Sequence, residues 1–155
     1  MKTLVSVIGA KKVIDILNGM QDRAKNPRES FFAIADEFAK HEGTVFNQQG
    51  AVEGFAGWAP LSPNYVAEKA AEGYGSRILI RTGKLRMSLT DKTDANFVFR
   101  LTPKRLVIGT SVPYAKFHRR GTSNMPAREP IRITQALRKR WSEIMRNFVI
   151  FARKG

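Results

Sequence analysis

Cysteine is absent from the 155 residues, histidine occurs twice, and only 13 acidic side chains stand against 27 basic ones. The missing cysteine excludes disulfides, thiolate metal ligation and cysteine nucleophiles, and suits a reducing compartment. Two histidines leave little room for a histidine-rich metal centre. No apolar stretch approaches the roughly 20 residues of a membrane span, and neither an internal repeat nor a low-complexity tract is present. Met1-Lys2 ahead of the apolar run from Leu4 to Ala10 resembles the start of a signal peptide. Lys11-Lys12 interrupts that run, and no small-x-small cleavage site follows. The expectation is a soluble protein made in the cytosol, with no membrane partner.

What is there is enough for one core. Apolar residues make up 43% and aromatics 10%, which argues against disorder for the bulk of the chain. The length favours a single domain over 1–155. The formal net charge of +14 is unevenly spread. Residues 1–76 carry 8 basic and 9 acidic side chains, residues 77–121 carry 11 and 2, and residues 122–155 carry 8 and 2. The whole excess therefore lies in the second half. Two readings stand: solvated faces, or one surface turned towards DNA or an acidic protein.

Periodicity sets out the elements. Thr3 to Ile8 reads as a short strand, and Val13, Ile14, Leu17 and Met20 follow helical spacing from Ala10 to near Lys25. Asn26-Pro27-Arg28-Glu29 predicts a restart, with Asn26 as cap, Pro27 in the first turn and Glu29 closing a capping box. Phe31, Ile34, Ala35, Phe38 and Val45 then line a helix to about Phe46. The Gly- and Gln-rich stretch at about 47–60 predicts an exposed loop able to reach a neighbouring molecule. Ser62 caps a short helix ending at Gly73, and Thr82 is expected to cap a helical turn through Leu85 and Leu89. Residues 97–101 and 105–110 alternate around a Thr102-Pro103-Lys104 turn, a hairpin that needs covering on its apolar side. Residues 113–130 read as irregular. Ile133, Leu137, Trp141, Ile144, Phe148 and Phe151 recur at 4, 4, 3, 4 and 3 residues, a long amphipathic C-terminal helix expected to bury Trp141.

Searches for chemistry end in absences. Arg81-Thr82-Gly83-Lys84 invites comparison with a phosphate-binding loop, but that motif needs Gly where Ile78 stands and Ser or Thr where Leu85 stands. His41, with Glu37 and Glu42 near it, reads as a packing histidine rather than a lone metal ligand. Lys116, Arg119 and Arg120 around His118 depress its basicity and supply no acidic orienter. No catalytic nucleophile stands at readable spacing and no Gly-x-Ser-x-Gly occurs. A protein without catalytic activity, metal or cofactor is expected. Arg119-Arg120-Gly121-Thr122 beside Tyr114 and Phe117 interleaves charge with rings, as backbone-tracking nucleic-acid surfaces do. Equally, the rings can be core and only the arginines exposed.

Several segments coincide in order: Trp58-Ala59-Pro60-Leu61-Ser62-Pro63, then Ile78 to Arg86 with Thr82-Gly83-Lys84-Leu85, then Tyr114, His118, Gly121 and Met125-Pro126-Ala127-Arg128. Together they resemble the virion morphogenesis (tail-completion) family of tailed bacteriophages, including Mu-like phages, and the wider group of head–tail joining proteins. The resemblance runs from the Asn26-Pro27 helix to the final helix. One departure is Glu129-Pro130-Ile131, where family members commonly carry Pro and a bulky apolar residue directly after the Pro-Ala-Arg. The resemblance implies an α+β subunit, helices packed on a small antiparallel sheet. It also implies a structural role at the head–tail junction of the virion, as a homo-oligomeric ring, expected to be a hexamer. Neighbouring neck or adaptor and tail-terminator or tail-tube proteins would be its partners, with packaged DNA contacted electrostatically. Arg81, Lys84, Arg86, Lys116, Arg119 and Arg120 are the candidates for a surface facing the DNA channel or an acidic ring.

Overall fold

The computed structural model describes residues 10–152, so the expected strand from Thr3 to Ile8 lies outside the described residues. These residues form six helices and one two-stranded antiparallel sheet, an α+β fold. In order they are α1 (Ala10–Lys25), α2 (Arg28–Asn47), α3 (Pro63–Ala71), α4 (Lys84–Thr90), β1 (Phe97–Thr102), β2 (Arg105–Thr110), α5 (Ala115–Arg120) and α6 (Gln135–Phe151).

α2 is the hub, touching α4, α6 and β1. Its buried positions Ile34, Phe38, Val45 and Phe46 recur at helical spacing, so one stripe of the helix closes the core. Leu85, Leu89, Trp58 and Val112 complete that core from the other elements. The hairpin pairs Phe97 with Thr110 through to Thr102 with Arg105. Strand alternation puts Phe97 and Phe99 on one side, where Phe97 meets Phe38 edge-on at 6.4 Å and Phe99 stacks on Phe32 at 5.3 Å. α2 is thus the cover the isolated hairpin requires.

Four local expectations are corrected. Asn26 does not cap α2: Pro27 occupies that position without a side-chain cap, and the Asn26 amide still donates to Asp22 O at 3.1 Å, carrying the turn of α1 across the junction. α4 is capped by Gly83 in a left-handed conformation, with the Thr82 hydroxyl 3.5 Å from the Lys84 amide. Residues 113–130 are not wholly irregular, since α5 and a Thr122–Met125 bridge lie within them. In α6, capped by Thr134 Oγ1 accepting from Leu137 N at 3.1 Å, Leu137, Ile144 and Phe148 are buried, while Trp141 is only half-buried and its indole N–H has no partner.

α1 follows its expected bounds, but Val13, Ile14 and Leu17 are each more than half exposed. Arg23 Nε donates to Val149 O at 2.9 Å, only two residues before α6 ends at Phe151, so only the last turns of α1 lie beside α6.

The 47–60 loop has exposed tips at Gln48, Glu53 and Gly54 but is not a free arm. The Arg132 guanidinium donates to the carbonyls of Gly50 and Ala56 and lies over the rings of Phe55 and Trp58. The Trp58 indole N–H donates to Glu129 O at 2.8 Å. An arginine satisfied by carbonyls and rings can be buried where an unpartnered one cannot, and this one staples the loop to the segment before α6.

Candidate functional site

Between α3, the turn before α4, α5 and the 124–128 segment lies a groove of about 850 Å³. Of the motif residues Trp58, Pro60, Leu61, Ser62, Pro63, Thr82, Gly83, Leu85, Tyr114, His118, Gly121, Met125, Pro126 and Arg128, eleven line it. Pro60, Leu61 and Ser62 come from the entry to α3, where Ser62 Oγ caps the helix by accepting from Tyr65 N at 3.3 Å. Thr82, Gly83 and Leu85 come from the start of α4. Tyr114 and His118, one helical turn apart, form the inner side of α5 with rings edge to face at 5.8 Å. Met125, Pro126 and Arg128 close the last side. The other three motif residues support these walls: Trp58 in the core, Pro63 in the first turn of α3, and Gly121 at the turn after α5. Gly121 has φ +74, and a Cβ there would fall 2.9 Å from Ala127 N and Met125 O, so the tight return depends on glycine.

The floor holds two buried cations. Lys69 is 2% exposed and donates to the carbonyls of Arg77 at 2.8 Å and Ile80 at 2.7 Å. Arg128 is 6% exposed and donates to Ala59 O at 2.7 Å and Pro60 O at 2.8 Å. Among the described residues neither forms an ion pair with a carboxylate. Burial lowers the pKa of both, with the charge of Arg81 adding to the effect at Lys69. His118 is likewise lowered, first by burial and then by Arg128, and its buried Nδ1 has no partner. Three basic groups thus share a poorly hydrated setting, with a cationic neighbour adding to it at Lys69 and His118. Leu79, on the wall, has φ +58, a strained conformation for a bulky side chain.

The six candidate cations divide. Arg81 lines the groove but is paired with Glu72 and, at 3.9 Å, with Glu68, so acids of α3 neutralise it. Lys84 lines the groove, exposed. Arg86 is half-buried with its Nε unpartnered. Lys116, Arg119 and Arg120 are exposed on α5, without an acidic partner among the described residues; Lys116 Nζ lies 5.0 Å from the Phe117 ring centre. His41 Nε2 is 2.7 Å from the Arg132 carbonyl, so it carries the proton and donates: a packing residue. Sequence reasoning named Arg128 only as a motif residue and missed Lys69. The one signal was that Tyr65 and Lys69, four apart, share a side of α3. No group of three or more potential metal ligands occurs among the described residues, and no helix among them is long and apolar enough to cross a membrane.

Fold and groove define a small α+β protein with an apolar cleft over a cationic floor. Residues 8–149 match the model of the phage virion morphogenesis family. The match takes in most of the chain, which therefore belongs to that family and has a structural, morphogenetic role in the bacteriophage virion. Neither a curated protein nor a solved structure matches it.

Proposed function

We propose that this protein completes the phage tail and joins it to the head, acting without catalysis, metal or cofactor as a ring, taken here as a hexamer, at the head–tail junction. It binds copies of itself, neck or adaptor proteins on one side and tail-terminator or tail-tube proteins on the other. The observation that carries the reading is the exposed cluster of Lys116, Arg119 and Arg120 on α5, without an acidic partner among the described residues, in a chain of the virion morphogenesis family. Such cations face DNA phosphates in a channel, where attraction is independent of sequence and salt-dependent, or an acidic neighbouring ring.

The test is the double variant Arg119→Glu with Arg120→Glu. Both side chains are exposed, so the subunit should fold as before, while infection should yield tailless heads, unjoined tails or leaking DNA. Normal infectious particles would sink the reading. A second reading, a free nucleic-acid-binding protein of phage or mobile-element origin, is favoured only by the excess of basic residues in the second half. It requires tight, selective duplex binding by a monomer or dimer, which filter binding at two salt concentrations detects.

A further inference from the structure

The groove differs from the exposed arginines of α5 in what it offers a ligand. Its walls are Leu61, Leu79, Ile80, Met125 and Pro126, and only its floor and rim are cationic. The carbonyls around Lys69 and Arg128 satisfy hydrogen bonds but cancel no charge. Arg132, the other buried arginine, is enclosed by loop carbonyls and rings away from the groove, whereas Lys69 and Arg128 border open space. On the rim, Arg81 is already neutralised, whereas Lys84 forms no ion pair among the described residues. His118 Nδ1 adds a buried nitrogen without a partner on the α5 wall.

From this arrangement we infer that the groove is a docking site for an acidic segment of a neighbouring virion protein, seating apolar side chains on the Leu61–Met125 walls and a carboxylate over Lys69, Arg128 and Lys84. Charge complementarity selects this occupant. A carboxylate supplies the counter-charge that the floor lacks, and apolar side chains fill walls that water wets poorly. Burial is the first cause of the lowered pKa values of Lys69, Arg128 and His118, with a neighbouring cation adding to it at Lys69 and His118. A duplex fits badly, because it offers a convex array of phosphates and nothing apolar for the walls, and it is served by exposed cations such as those of α5. The volume of about 850 Å³ falls within the range of ligand pockets, about 300–1,000 Å³.

The test uses the purified full chain and three probes: a labelled peptide alternating leucine and aspartate, its leucine–asparagine isostere, and a short duplex DNA. Fluorescence anisotropy should show the aspartate peptide binding at least about tenfold tighter than the isostere, a difference of about 1.4 kcal/mol. Lys84→Glu should abolish that preference and Lys84→Arg retain it, with circular dichroism confirming that both variants fold. Carbodiimide coupling should join the bound aspartate peptide to Lys84. Equal binding of the two peptides, no binding of either, displacement of the peptide by the duplex, or coupling confined to Lys104 or Lys116 would each overturn the inference. It rests on the reading that this protein joins virion neighbours, but the two fail separately. A charge-blind groove with assembly lost in the Arg119→Glu, Arg120→Glu double variant removes the inference alone; a charge-selective groove with normal particles from that double variant removes the ring.

Discussion

Glu42 is a buried acid whose ionisation the fold opposes. It is 0% exposed, and neither carboxylate oxygen has a hydrogen-bond partner. Burial raises its pKa from 4.5 to about 8; the Arg132 backbone amide pulls the other way without reaching hydrogen-bond geometry, and the charge of Glu129 adds to the rise. The unfolded chain therefore releases this proton near pH 4.5, while the folded chain holds it to about pH 8. Across that window the native state binds more protons, so this group's contribution to stability is complete at low pH and is lost as pH rises. At 1.36 kcal/mol per pKa unit, the loss is about 4–5 kcal/mol over the window. Glu42→Gln keeps the shape and cannot ionise. Urea unfolding should therefore show the variant gaining on the wild type by about 3–4 kcal/mol between about pH 5 and pH 8. Taking the difference cancels the opposite contribution of His118, whose lowered pKa costs stability as pH falls. Parallel stability–pH curves for the two proteins would refute the assignment of Glu42 as a neutral buried acid.

Two left-handed glycines separate conformational from steric cost. Gly83→Ala, with open space around its Cβ position, should lose about 1 kcal/mol, whereas Gly121→Ala should lose about 3 kcal/mol or more because the new methyl meets the 125–127 backbone; equal melting temperatures would contradict this. Leu89→Ala, at a fully buried site, should cost about 2–5 kcal/mol in chemical denaturation. Trp141→Ala should cost less than the roughly 3–5 kcal/mol of a fully buried tryptophan, and a larger loss than Leu89→Ala would show that Trp141 is core after all. Arg132→Met removes the donors that hold the loop by Gly50 and Ala56, so hydrogen exchange at the Trp58 amide should accelerate with a global loss of about 1–3 kcal/mol; unchanged exchange would rule out the staple.

Local regularities carried well from sequence to structure. The stripe of α2, the Thr102-Pro103-Lys104 hairpin, the Ser62 cap and the spacing of α6 were legible, because period and capping chemistry act over a few residues. So was the family, because its motifs keep their order along the chain. The groove was not. It is assembled from residues 60–69, 79–85, 114–118 and 124–128, which no periodicity links and only the packing of α3, α4 and α5 brings together. The fate of each charge was likewise a tertiary matter: Arg81 is neutralised by Glu72 of α3, Arg132 is absorbed by loop carbonyls, and Lys69 is buried, while Arg119 and Arg120 stay in water. A sequence counts charges. Whether each is paired, buried or free depends on which distant carbonyl or carboxylate the fold places beside it, because hydrogen bonds and ion pairs act over a few ångströms of space and not of chain.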